Sequence, residues 1–232
     1  MKLIVNPEIF TKVKDLNVGV IVIKDADNTV DIGAFVKDEY AVIAKSVRVK
    51  FDGADIAEYP VIKKWREIYK GFGEKKVRSS IESLIRRVTN GKDIYNINPL
   101  VDIYNLASLK FELPCGGEDT DVISADLELT FADGSENFIP LGETETENPN
   151  AGEIIYKFAD TAVCRNFNYR ESDVTKLTEN TKNAVIVFEE ISAGASNLKP
   201  ALDWLAAKVT ELLSAKIVTA AILNESCNYV EW

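Results

Sequence analysis

The chain changes its hydrophobic period near residue 122, and this change limits its fold more than any other feature. Upstream, the box Ser79-Ser80-Ile81-Glu82 opens a segment in which Ile81, Leu84, Ile85 and Val88 recur at helical spacing, with Gly91 as the stop. Pro60 predicts a first helical turn for Val61–Tyr69, ending at Gly71, and Leu100–Leu109 is expected to be helical too. Downstream, Leu127, Leu129 and Phe131 alternate with Asp126, Glu128 and Thr130, and Ala132-Asp133-Gly134-Ser135 reads as a turn. Phe138–Leu141, Ile154–Phe158, Thr161–Phe167 and Ala184–Phe188 are expected strands, as are Lys216–Leu223 and Cys227–Trp232 after a helix over Ser196–Lys216. Nearer the start, Val18–Ile23 reads as a buried strand. Ala34–Val49 is divided between a helical first part and a strand-like end, SVRVKF. The pattern predicts an α+β fold with a layered core of short mixed or antiparallel strands flanked by helices. With no long linker, residues 1–232 are expected to form a single domain, 1–58 being a lobe integrated with a core over 59–232.

Composition excludes several functions. The chain contains no histidine, which removes any Ser-His-Asp triad, His-ligated zinc and imidazole base. Its three cysteines are too few and too scattered for a disulfide framework. With no apolar run long enough to span a bilayer and no signal-peptide pattern at the start, a cytoplasmic protein without a membrane partner is expected. The net charge of −10 is unevenly spread. Pro60–Lys92 carries ten basic against three acidic residues, a net of +7, which leaves −17 for the remainder. Phe111–Tyr156 contains neither Lys nor Arg. Such polarity suits a partner that is anionic over one face, and equally describes solvated basic helices.

The densest candidate site is Ile97–Asp121, INPLVDIYNLASLKFELPCGGEDTD. It mixes an apolar run with Asp102, Asn105 and Ser108, and closes on Gly116-Gly117 and three acids. A walled pocket with a glycine lip fits this mixture. The N–H groups of Gly116 and Gly117 would face a carbonyl oxygen, or the pair simply makes a tight turn. Asn105 would read a ligand's amino or carbonyl group, or serve as a core amide. Asp102 is expected to bond backbone N–H groups. Glu118, Asp119, Glu143 and Glu189 are candidates to hold a water or an ammonium group. Arg165–Arg170, read as a strand, would put Arg165, Phe167 and Tyr169 on one face and Asn166, Asn168 and Arg170 on the other, for base stacking or for plain aromatic packing. Glu118, Asp119 and Asp121 lack the spacing of a calcium loop, so no metal and no cofactor are expected. Cys115 and Cys164 are expected to pack rather than react.

These motifs resemble a known family. Val101-Asp102-Ile103-Tyr104-Asn105, Pro114 with Asp119-Thr120-Asp121, and Thr181-Lys182-Asn183 before the strand at Ala184 are similar to the editing domain of the bacterial phenylalanyl-tRNA synthetase beta subunit, its third and fourth modules. Denser signatures (PVIKKWREIY, SSIESLIRRVTNGK, LPCGGEDTD, FIPLG, GEIIY, CRNFNYR) match solo relatives of that domain and span most of Pro60–Glu190. The resemblance implies an α+β editing-domain fold and, as activity, hydrolysis of an amino acid wrongly attached to tRNA by a free-standing deacylase. The alternative is a non-catalytic module that binds tRNA or an amino-acid-like ligand. It implies a pocket of Asn105, Gly116, Gly117, Glu118 and Glu189, with Gly116 standing where the synthetase has a histidine. Arg165, Asn168 and the basic residues Lys63, Lys64, Arg66, Lys75, Lys76, Arg78, Arg86 and Arg87 would receive the tRNA acceptor end. DNA is not an expected partner.

Overall fold

The run Val18–Ile23 is apolar without alternation because both faces of its strand are covered. In the computed structural model, which describes residues 1–94, 96–193 and 196–232, the chain opens with β1 (Lys2–Val5), α1 (Pro7–Lys12) and β2 (Leu16–Lys24). Ile21 and Ile23 of β2 face a helical layer, and Val18, Val20 and Val22 face a second sheet. After α2 (Gly33–Lys50), a short 3-10 turn (Ile56–Glu58) leads to α3 (Pro60–Gly71), α4 (Ser80–Thr89) and α5 (Pro99–Phe111). Then follow β3 (Cys115–Asp119), β4 (Leu127–Phe131), β5 (Ile154–Phe158), β6 (Thr161–Arg165), β7 (Arg170–Glu171), β8 (Ala184–Ile191), α6 (Leu198–Leu213), β9 (Lys216–Leu223) and β10 (Tyr229–Glu231).

Two sheets result. One runs β3-β8-β2-β9, all antiparallel; the other runs β10-β1-β4-β5-β6-β7, with β1 and β4 parallel and the rest antiparallel. Side chains of α2, α4, α5 and α6 pack on one face of the four-stranded sheet. The six-stranded sheet packs on its other face, joined by Trp65 and Tyr69 of α3. The expected α+β layering is thus present. Gly19 is where α6 approaches β2: a methyl group there would meet Leu198 Cδ2 at 3.0 Å and Leu202 Cδ1 at 3.4 Å. Among the described residues, no helix is long and apolar enough to cross a membrane.

Four local expectations are corrected. Gly33–Lys50 is one helix to its end. A strand would put Val47 and Val49 on one face, whereas the helix buries Val47 with Ile43 and Ala44 and leaves Val49 in solvent. Phe138–Leu141 makes only an isolated bridge, Pro140 to Ser172, because proline lacks the N–H a ladder needs. The glycine lip is not a turn: Cys115–Asp119 is strand β3, in register with β8 from Cys115↔Phe188 to Asp119↔Ala184. Finally, β6 stops at Arg165, since Asn166 and Phe167 take left-handed φ of 50° and 57°. Arg165, Phe167 and Tyr169 therefore share no face. Phe167 turns inward, 5.2 Å from Trp65, while Tyr169 is exposed.

Candidate functional site

The motif residues at the far end of β3 are structural. Asp119 accepts from Thr181 Oγ1 at 2.6 Å and from Asp121 N at 2.9 Å, and Asp121 accepts from Asn183 Nδ2 at 2.8 Å. These bonds tie β3 to the start of β8. Asn98 caps α5 through Val101 N at 3.1 Å and is itself held by Asn28. Asp102 accepts from Ile97 N at 3.1 Å, the backbone role expected of it. Asn105, half-buried on α5, lies one residue beyond Tyr104, whose ring reaches Gly117.

The near end of β3 is different. A methyl group on Gly116 would lie 2.6 Å from both Asn168 Oδ1 and Glu171 Oε1. The space expected at this glycine is therefore filled by two polar side chains from the Asn166–Glu171 segment. Glu171 and Glu118 lie within hydrogen-bonding reach of each other, and Thr175 Oγ1 donates to Glu118 Oε2. On the neighbouring strand, Glu189 is fully buried and accepts from Tyr156 OH at 2.9 Å. Asn168 Nδ2 and Glu189 Oε2 are both buried without a hydrogen-bond partner. Asn168 and Glu189 reach each other without forming a full hydrogen bond, and a buried donor and acceptor left imperfectly paired cost free energy.

Among the described residues no lysine or arginine answers these carboxyl groups, so burial dominates their titration. It pushes Glu118 well above the usual carboxylate range, and the charge of Glu171 adds to that. Burial raises Glu171 too. Glu189 rises to about 8, chiefly through burial and against the pull of Tyr156 and Asn168. Cys115 and Cys164 are also raised by burial and by these carboxylates, so neither is a thiolate nucleophile near neutrality. Among the described residues, no group of three or more His, Cys, Asp or Glu is arranged to hold a metal ion.

The two glycine N–H groups do not act together. Glu189 N donates to Pro114 O at 3.1 Å, which fixes the phase of the β3–β8 ladder. Gly116 and Glu118 then point their N–H groups at β8, and Cys115 and Asp119 point theirs away, to Ser80 Oγ at 3.2 Å and Thr175 O at 2.9 Å. Successive strand residues face opposite edges, so Gly116 and Gly117 cannot converge on one oxygen.

Arg165 is removed from the ligand-contacting set. Its guanidinium makes a two-bond fork on Glu153, 2.7 Å at each, and reaches Glu147. It lies over the Phe138 ring at 5.5 Å and is only 8 % exposed. Every face is engaged, which is the signature of a structural ion pair. Asn168, by contrast, comes directly to Gly116.

The basic segment divides. Arg66, Lys70, Lys75, Lys76 and Arg78 line a surface concavity of about 620 Å³ with Glu74 as its acid. Arg66 and Arg86 bind the buried Glu82 carboxylate, which Arg78 approaches to 3.7 Å. Lys63 pairs with Glu58 at 2.6 Å, Lys64 lies 4.0 Å from Asp15, and Arg87 Nε donates to Asp93 O at 3.0 Å. Ser80, two residues after Arg78, bonds Cys115 N, so the chain passes from the concavity to the near end of β3.

Sequence reasoning missed Glu171, Tyr156, Thr175 and Glu82 as parts of these constellations. Tyr156 and Glu171 end or adjoin two signature stretches, GEIIY and CRNFNYR, but nothing in their spacing tells that β5 and β7 converge on β3.

No curated protein matches the chain. Among solved structures, an N-terminal fragment of the phenylalanyl-tRNA synthetase beta subunit from Pyrococcus horikoshii is similar, at 12 % identity and a TM-score of 0.46, over 93 % of this chain and 49 % of that one. The chain thus spans about half the length of that fragment. The model of the B3/4 domain family matches residues 64–200, more than half of the sequence. The chain therefore belongs to the B3/4 domain family.

Proposed function

We propose that the protein receives the acceptor end of an aminoacyl-tRNA and hydrolyses its ester bond, acting in the cytoplasm with residues 1–232 as one functional unit. The observation that carries this reading is the Glu118–Glu171–Glu189 cluster around Gly116, two of its acids buried, against which no cation stands among the described residues, together with the basic concavity of α3 and the segment leading into α4. A cationic α-ammonium is the ligand such a cluster lacks, and the tRNA phosphates are the ligands the concavity lacks. Asn168, whose amide reaches Glu189 without a full hydrogen bond, would orient the aminoacyl group, and Asn105 would act from α5, in the helical layer on the other face of the sheet.

The coupled carboxyl pair supplies acid–base chemistry without histidine. In the reactive form Glu118 and Glu171 would hold one proton between them, because both are raised by burial and two adjacent carboxylates resist ionising together. The ionised partner takes a proton from water as the water oxygen bonds to the ester carbonyl carbon. The protonated partner gives its proton to the departing ribose oxygen as that bond breaks. Free amino acid and uncharged tRNA result, and the pair again holds one proton. Incubation with a panel of mischarged tRNAs tests this. Ester loss above the buffer control for at least one pair is expected, and its absence across the panel refutes hydrolysis.

A second reading, a non-catalytic module for tRNA or an amino-acid-like ligand, is favoured by one observation. The N–H groups of Gly116 and Gly117 point to opposite strand edges and leave the oxyanion without paired backbone donors. Retained tRNA binding with no ester loss selects this reading.

A further inference from the structure

We propose that Glu82 is a positioning residue that holds Arg66 and Arg78 as a preformed clamp for an RNA backbone phosphate. The inference rests on the tRNA reading above and adds to it the place where a phosphate is gripped.

Glu82 is 0 % exposed, although it sits one turn into a basic helix. The box that opens α4 is only half made. Ser79 Oγ accepts from Glu82 N at 3.4 Å, while the Glu82 carboxylate turns to the arginines. Oε2 accepts from Arg66 Nε at 2.8 Å, and Oε1 accepts from Arg66 Nη2 and, at 2.7 Å, from Arg86 Nε. Arg78 stands at 3.7 Å with its side chain 56 % exposed. One carboxylate thus answers three guanidinium groups, of which Arg66 and Arg78 line the concavity.

A helix cap has no need of three arginines. Arginine pairs gain from their fixed fork, but holding a guanidinium in place costs side-chain entropy at the moment of binding. Glu82 removes that cost beforehand and offsets the repulsion among the three cations while no anion is bound. Lys70, Lys75 and Lys76 stand exposed on the rim, and among the described residues none makes an ion pair. Arg66 and Arg78 both line the concavity, where their remaining N–H groups would complete the network on a phosphate oxygen.

The test uses unfractionated deacylated tRNA and the whole chain, with affinity measured across a salt series. Glu82→Gln adds one unit of positive charge at nearly constant shape. A diffuse basic patch would then bind tRNA more tightly; the clamp predicts binding weaker by about 5-fold. Arg78→Ala, on an exposed side chain that the fold does not need, is expected to lower the slope of log affinity against log salt by about 1. Lys199→Ala, on α6, is expected to change neither. Should Glu82→Gln fail to fold, Arg78→Ala decides. Tighter binding by Glu82→Gln, or an unchanged slope for Arg78→Ala, overturns the clamp and leaves the tRNA reading standing. No tRNA binding by the wild-type chain overturns both.

Discussion

Glu82 and Glu189 are both fully buried glutamates, and they are in opposite electrical states. Burial penalises the charged form of each. At Glu82, hydrogen bonds from Arg66 and Arg86 outweigh that penalty and hold the carboxyl below its usual value. At Glu189 the answering groups are the neutral Tyr156 and Asn168, and the carboxyl rises to about 8. The difference lies in which elements converge. Helices α3 and α4 bring arginines to Glu82, whereas β3, β5, β7 and β8 bring Glu118, Tyr156 and Glu171 around Glu189. A buried acid answered by guanidinium groups is a structural or positioning element. A buried acid among other acids is a store of unfavourable energy that ligand binding can relieve.

The sharpest contrast with the Glu189 cluster is Glu153, whose carboxylate is buried and fully answered by Arg165. Arg165→Ala strands that charge. A loss of about 3–5 kcal/mol is expected, the usual cost of leaving one partner of a buried pair alone. Urea unfolding measures it, and a loss under 1 kcal/mol would show that Glu153 is not a committed ion-pair partner. The double change Arg165→Met with Glu153→Leu should recover most of the loss, because neither charge then remains buried.

Glu189→Gln makes the protonated state permanent. In the folded chain Glu189 keeps its proton up to about pH 8; in the unfolded chain it loses it near an ordinary value of about 4.3. Between those limits the folded state binds more protons, so stability falls as pH rises, by about 1.4 kcal/mol per pH unit for this one group, and the fall ends above about pH 8. Gln keeps an oxygen for Tyr156 OH and has no proton to lose. The variant should therefore show a shallower decline in unfolding free energy from pH 5 to 8, with its largest advantage at pH 8 and above. Parallel profiles for the two proteins would sink the assignment.

Much of the layering was legible because it depends on local pattern. Helical spacing located α3, α4, α5 and α6, and alternation located β4 and β5. Failures came where tertiary contacts overrode the local signal. Gly116-Gly117 carries the composition of a turn, yet β8 offered it a ladder and Asn168 and Glu171 required a residue without a side chain. Arg165–Arg170 alternates like a strand, but Phe167 is buried by Trp65 and Tyr69, and the backbone turns left-handed to deliver it. The candidate site was half legible. Gly116, Glu118 and Glu189 come from motifs the sequence singles out, while Glu171 and Tyr156 come from strands whose convergence no linear motif encodes.

The finest division falls between two adjacent glycines. A methyl group at Gly117 would point to the helical layer and meet Ile186 Cγ1 and Leu177 Cδ1 at 3.2 Å, both apolar and able to yield by a few tenths of an ångström. A methyl group at Gly116 would point between the sheets, 2.6 Å from Asn168 Oδ1 and Glu171 Oε1. Glu171 is half-buried and can swing outward, whereas Asn168 is buried and must shift within the site, so an overpacking cost of about 1–3 kcal/mol is expected. Glu118 then loses the partner with which it shares a proton. Gly116→Ala should therefore abolish ester hydrolysis while melting within a few degrees of Gly117→Ala, which keeps activity. Equal activity in the two variants at matched stability would mean that the Glu118–Glu171 pair takes no part in the reaction, and that the acidic cluster holds a ligand without transforming it.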